Sequence, residues 1–172
     1  MVEKGAFDGI ARRIELIRGE LREMSPAGPI HDGIIQYLTI WSCTNAPNCS
    51  ASVRVQSGLD LSELESRPEP DVLWVDDKRY LDRHPGADHV RLAIEVAHSS
   101  LASDMTEKAQ LYAESGIPEY WVVDVEGKSI HVFSSPSDDS YLQRRTIPID
   151  ADVSPVCCPD AVLSLADLFG RS

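Results

Sequence analysis

The segment Arg91-Leu92-Ala93-Ile94-Glu95-Val96-Ala97 constrains this chain more than any other. It is a strand-length run, apolar on both faces, as a central strand covered on both sides of its sheet should be. One carboxylate interrupts it. Alternation puts Glu95 on the same face as Ala93 and Ala97, while Leu92, Ile94 and Val96 point the other way. An unpaired carboxylate buried there costs several kcal/mol, so Glu95 must be paired, protonated or bound to a metal. The small alanines beside it leave room for a cation or a water.

The elements around this strand define the fold class. Arg12–Met24 reads as a hairpin turning at Arg18-Gly19. After Gly28-Pro29, the residues Ile30, Ile34, Tyr37, Leu38 and Trp41 recur at helical spacing. Val53 and Val55 mark a short strand, and Asp71–Val75 marks an apolar one delivered by Pro68-Glu69-Pro70. Lys78–His89 is a charged loop. Leu101–Ser115 is a helix stopped by Gly116 and Pro118. Glu119–Val123 and Ser129–Phe133 flank a second turn at Glu126-Gly127, Tyr141–Ile147 is a further strand, and Ala161–Phe169 has a short helical pattern. Hairpins mixed with helices predict an α/β fold with a mixed sheet. At 172 residues, a single domain over 1–172 is expected.

Two further ionisable residues sit where apolar ones belong. On a regular helical wheel, Met105, Ala109 and Tyr112 fall on the same side as Leu101 and define a buried stripe. Thr106, Gln110, Glu114, Ser103 and Glu107 fall on the opposite, wet side. Lys108 lands inside the apolar stripe, and Asp104 lands beside it. Asp71 stands at the mouth of its apolar strand. Carboxylates on neighbouring strands, Asp71 and Glu95, make a site for a hard cation such as Mg²⁺, which takes oxygen ligands and keeps several waters. The Val96 carbonyl offers another oxygen. Lys108 would orient or help deprotonate a metal-bound water, or stabilise a charged transition state. The competing reading is a Glu95–Lys108 ion pair that only orders the core.

Weaker candidates are His31, on the first turn of its helix, and Glu20, just after the Arg18-Gly19 turn. His98-Ser99-Ser100 lacks the G-x-S-x-G elbow of a serine hydrolase, and no glycine-rich phosphate loop occurs. Cys43 and Cys49 share a polar loop while Cys157 and Cys158 are adjacent; neither spacing suits a zinc knuckle. Four free thiols are expected, with a Cys43–Cys49 bridge as the unsupported alternative. No apolar run reaches the roughly 18 residues of a membrane span, and no secretory layout opens the chain, so a cytoplasmic, non-membrane protein is expected. Lys+Arg 16 against Asp+Glu 28 gives a net charge of −12. That charge repels phosphate backbones, and any polyanion would need a local basic patch or metal ions at the contact.

Pro70-Asp71, Ile94-Glu95-Val96, Asp104-x-x-x-Lys108, Tyr112 and Gly116-Ile117-Pro118-Glu119-Tyr120-Trp121 together resemble a known family. It is the bacterial putative restriction endonuclease family, formerly a domain of unknown function, within the PD-(D/E)XK nuclease superfamily. The likeness includes Glu15-Leu16-Ile17-Arg18-Gly19-Glu20-Leu21 and His31, and is weakest between Thr44 and Pro68. It implies a restriction-endonuclease-like core and Mg²⁺-dependent phosphodiester hydrolysis of DNA, with Mn²⁺ as a substitute metal. It also implies Asp71 and Glu95 as metal ligands, Lys108 as the catalytic lysine and Glu20 as a further acidic member. In the superfamily the lysine usually follows the glutamate by two residues, which here is Ala97; the resemblance places it on the next helix, at Lys108. The family's Leu-Ser-Pro stretch is replaced by Ala97-His98-Ser99. Weak, metal-dependent and salt-sensitive DNA binding follows as an expectation, as does a homodimer for double-strand cleavage. The rivals are a non-catalytic binding or scaffold protein on the same fold and a hydrolase of something smaller than DNA.

Overall fold

The computed structural model describes residues 13–24 and 28–170. It begins with a two-stranded hairpin, β1 (Ile14–Ile17) and β2 (Glu20–Glu23). Arg18 and Gly19 both take positive φ, 49° and 77°. Two left-handed residues in a two-residue loop give the twist that a tight hairpin requires. Helix α1 (Pro29–Asn45) starts behind Gly28, with Pro29 in the first turn, where its missing N–H costs nothing.

The main sheet is built from β3 (Ala51–Val55), β4 (Val72–Asp76), β5 (Val90–Ala97), β6 (Glu119–Asp124), β7 (Ser129–Ser137) and β8 (Ser140–Ile147). Spatial order follows chain order, β3-β4-β5-β6-β7-β8. Every neighbouring pair is antiparallel except β5–β6, which is parallel. A parallel pair needs a crossover. Here it is supplied by α2 (Leu101–Ser103), a π-helical turn (Asp104–Lys108) and α3 (Ala109–Glu114). The chain closes with the short pair β9 (Asp152–Val153) and β10 (Leu163–Ser164), then α4 (Leu165–Leu168). The expected α/β fold with a mixed sheet is what forms. No helix among the described residues is long and apolar enough to cross a membrane.

Both faces of the sheet are covered, as the composition of β5 demands. On one side Leu92, Ile94 and Val96 pack with Val72, Trp74 and Trp121 under α1 and the C-terminal segment. Trp41 of α1 lies 5.3 Å from Trp74 and 6.1 Å from Trp121, ring centre to ring centre. On the other side Ala93 and Ala97 pack with Leu73, Val75, Leu111, Tyr112 and Tyr120 beneath the crossover helix. Ile17 of the hairpin joins that second core.

Three expectations change. The crossover is not a uniform α-helix. Asp104 and Lys108 are buried, as the helical wheel placed them, while Leu101 and Met105, expected in the same stripe, are only half-buried beside the π turn. The tail is not helical from Ala161: Leu163-Ser164 pairs with Asp152-Val153 first, and the Ser164 hydroxyl then caps α4 by accepting from Asp167 N–H. Cysteines do pair, but across the chain. Cys49 bonds to Cys158, whose Cα lies 5.7 Å away, because the C-terminal segment folds back over the end of α1. Cys43 and Cys157 remain as thiols.

Candidate active site

Glu95 and Asp71 meet through strand register. β4 and β5 pair Leu73 with Ala93 and Val72 with Ile94. One step further along the same register, Asp71 lies opposite Glu95, on the face covered by the crossover helix. Two carboxylates directly opposite repel each other. Each is held by donors. The Asp71 carboxylate accepts from Val96 N–H at 2.8 Å and from Gln56 Nε2 at 3.4 Å. Glu95 Oε1 accepts from Lys108 Nζ and from the Tyr112 hydroxyl, each at 3.0 Å.

Lys108, the last residue of the π turn, faces the cleft between β5 and the hairpin. Its ammonium also lies 3.1 Å from Glu15 and 3.9 Å from Asp104. Ser100 donates to the other oxygen of Asp104, whose backbone carbonyl takes the Tyr120 hydroxyl. His31, on the first turn of α1, has Nε2 at 3.7 Å from the Asp71 carboxylate. Its Nδ1 is buried, 3.6 Å from Asp32 and, among the described residues, without a hydrogen bond. Among the described residues, five of the eight buried polar or charged ones gather here: Glu15, Asp71, Glu95, Asp104 and Lys108.

Charge does not balance in this cluster. Four carboxylates face one ammonium and one imidazole. Burial pushes the Glu95 carboxyl well above its usual range; Lys108 opposes this, and Asp71, Asp104 and Glu15 add to it. Asp104 is raised for the same reason, burial first. Burial disfavours the Lys108 ammonium, but Glu95, Glu15 and Asp104 outweigh it and hold its pKa above the ordinary lysine range. His31 is raised by Asp71, against burial. These groups line an open cleft of about 780 Å³ between the hairpin, the start of α1 and the Ser99–Ser103 turn.

The structure therefore brings Asp71, Glu95 and Lys108 together and leaves Glu20 outside. Glu20 sits at the hairpin turn, 70% exposed, paired with Arg22 at 2.8 Å. The acidic residue that does approach Lys108 from the hairpin is Glu15. Nothing in the alternation of a solvated-looking strand marked it, although it opens the Glu15–Leu21 run. The Tyr112 ring is core as expected, yet its hydroxyl is spent on Glu95.

A mixed α/β sheet thus brings two opposed carboxylates and a buried lysine to one cleft. The model of the family Uma2, putative restriction endonuclease, matches residues 7–166, and the chain belongs to that family. A putative nuclease of the DUF820 family from Anabaena variabilis has a similar structure, with a TM-score of 0.71 at 15% identity over 91% of this chain and 89% of that one. No curated protein matches the sequence.

The donor set suits a hard divalent cation. Asp71 and Glu95 present oxygen only, and the cluster is short of positive charge. Among the described residues no three His, Cys, Asp or Glu side chains form a ready cage. The chain would supply two carboxylates and leave the remaining positions to water, as Mg²⁺ prefers.

Proposed function

We propose that the chain is a metal-dependent endonuclease that hydrolyses DNA phosphodiester bonds. The observation that carries this reading is the surplus of carboxylate around one buried lysine, at a cleft where Asp71 and Glu95 stand opposite each other. Asp71 and Glu95 would hold Mg²⁺, with Mn²⁺ as substitute. When bound, the cation would polarise the scissile phosphate and lower the pKa of a coordinated water. Lys108, kept as an ammonium, acts as donor and point charge: it orients the attacking water and stabilises the negative charge that grows on the phosphate oxygens. Tyr112 fixes the rotamer of Glu95, and the Val96 N–H fixes that of Asp71. Cutting both strands of a duplex takes two such clefts, so a homodimer is the working unit for double-strand cleavage.

The rival is a non-catalytic binding or scaffold protein, favoured by the direct Lys108–Glu95 contact, which already satisfies both groups. A nuclease assay on plasmid and single-stranded DNA in Mg²⁺ or Mn²⁺ separates them. Wild type is expected to cut, and Glu95→Gln and Lys108→Met to lose cutting while keeping a cooperative unfolding transition. Cleavage that survives in both variants sinks the assigned site. A wild type that neither cuts nor binds metal through Asp71 and Glu95 leaves the scaffold reading.

A further inference from the structure

We infer that the cleft-facing side of the β1–β2 hairpin holds the phosphodiester backbone of the substrate strand, with Arg22 and Arg13 as its phosphate contacts. This rests on the nuclease reading of the cleft. Alternation sorts the hairpin into two faces. Arg13, Glu15 and Ile17 share one side of the first strand, and the pairs Glu15–Arg22 and Ile17–Glu20 set Arg22 and Glu20 beside them. Met24 closes the same end, its N–H bonded to the Arg13 carbonyl. That side supplies most of one wall of the cleft: Arg13, Glu15, Ile17, Arg22 and Met24 line it, with Glu23 from the other face at the same end. Glu15 points inward to Lys108. Arg22 is the direct cross-strand partner of Glu15, so the two side chains start about 5 Å apart. A strand whose scissile phosphate meets Lys108 thus has a neighbouring phosphate within reach of Arg22.

Both guanidinium groups are aimed but loosely held. Arg22 is 44% exposed and offers one nitrogen, Nη2, to Glu20 at 2.8 Å and to Glu107 at 2.9 Å. Among the described residues, Arg13, 39% exposed, pairs with Glu69 at 3.1 Å. A guanidinium carries five N–H donors in a fork that matches a phosphate bidentately, and among the described residues each arginine engages its carboxylates through Nη2 alone. Exposed pairs of this kind contribute little to folding, so exchanging a surface carboxylate for a phosphate costs little. The acids at the floor and the arginines at the rim divide the work: one attracts metal, the other attracts the backbone of DNA. Arg18 provides an internal control. It sits in the turn of the same hairpin, pairs with Glu114 at 2.8 Å and does not line the cleft.

The test is fluorescence anisotropy with labelled single-stranded and duplex oligonucleotides in Ca²⁺, across a KCl series, with gels to verify that the DNA stays intact. Arg13→Gln and Arg22→Gln should each weaken binding several-fold and flatten the plot of log affinity against log salt by about 0.7–0.9 per arginine. Arg18→Gln should change neither. Arg22→Lys keeps the charge without the fork, so it should keep the slope and lose affinity; it also separates a binding defect from a folding one. An unchanged slope in the Arg13/Arg22 double variant, or an equal loss in Arg18→Gln, overturns the inference. If wild type cuts through Glu95 while the arginine variants bind as wild type does, the clamp fails alone. If binding depends on the arginines but wild type never cuts in Mg²⁺ or Mn²⁺, the nuclease reading fails and the clamp stands. No measurable DNA binding by wild type overturns both.

Discussion

Lys108→Met removes the ammonium and keeps most of the stem that packs under the crossover helix. Its side chain is 9% exposed and touches Glu95, Glu15 and Asp104, so three carboxylates lose their shared counter-charge. Breaking a buried ion pair by deleting one partner costs about 3–5 kcal/mol. For a chain of this size that is a fall in Tm of roughly 6–20 °C. The deficit depends on pH. Glu95 and Asp104 are already raised in the folded state, so the fold binds more protons than the unfolded chain above their ordinary values of 4.5 and 3.8. Their contribution is therefore present at low pH and lost as pH rises through the raised values. Without Lys108, whose charge opposes that rise, both go higher and the losing interval extends upward. Urea unfolding in EDTA at pH 6 and pH 8.5, followed by the fluorescence of Trp41, Trp74 and Trp121 in the core, reads the difference. The variant should be clearly less stable than wild type at pH 8.5 and much closer to it at pH 6. A deficit that is the same at both values, or none at all, refutes the account of Lys108 as the counter-charge of this cluster.

Other outcomes follow from the same geometry. Mg²⁺ should raise the Tm of wild type in proportion to the logarithm of its concentration, by mass action, and should not do so for an Asp71→Asn, Glu95→Gln double variant; equal shifts in both place the cation elsewhere. Tyr112→Phe deletes one of two donors to Glu95 and should cost about 1–3 kcal/mol in urea unfolding; a neutral result means Lys108 alone holds that carboxylate. Reducing Cys49–Cys158, which closes a separation of 109 residues, should lower stability by up to about 4–5 kcal/mol. Alkylation of the denatured, unreduced chain should label Cys43 and Cys157 only, and four labelled thiols would contradict the pairing. Glu20→Gln should leave the Mg²⁺ shift intact, whereas Glu15→Gln should change the stability of the cluster; the reverse would restore Glu20 to the site.

What could be read from the sequence was whatever local pattern dictates. The turn at Arg18-Gly19, the double-faced apolar character of β5 and the stop at Gly116 are short-range features, and all three appear as expected. Asp71, Glu95 and Lys108 were visible because each breaks an apolar pattern that its neighbours establish. Glu15 breaks none, since a half-solvated hairpin strand tolerates a glutamate; only packing against Lys108, far along the chain, buries it. The Cys49–Cys158 bond is invisible for the same reason, because spacing speaks only for neighbours. The π turn was missed because a wheel at fixed angle cannot represent an inserted residue, and beside this turn Met105 is shallower than the wheel placed it.

The single parallel pair in the sheet has a consequence for where a lysine can reside. To bring β6 alongside β5 in the same direction, the connection must travel back over the sheet, and it does so across the face that carries Ala93, Glu95 and Ala97. Position 97 on the strand and position 108 on the helix thus look at the same carboxylate from two sides. The topology supplies two addresses for one ammonium. The ammonium that meets Glu95 therefore comes from the crossover, 13 residues further along the chain, while the strand's own face carries only the small side chains of Ala93 and Ala97 around that carboxylate.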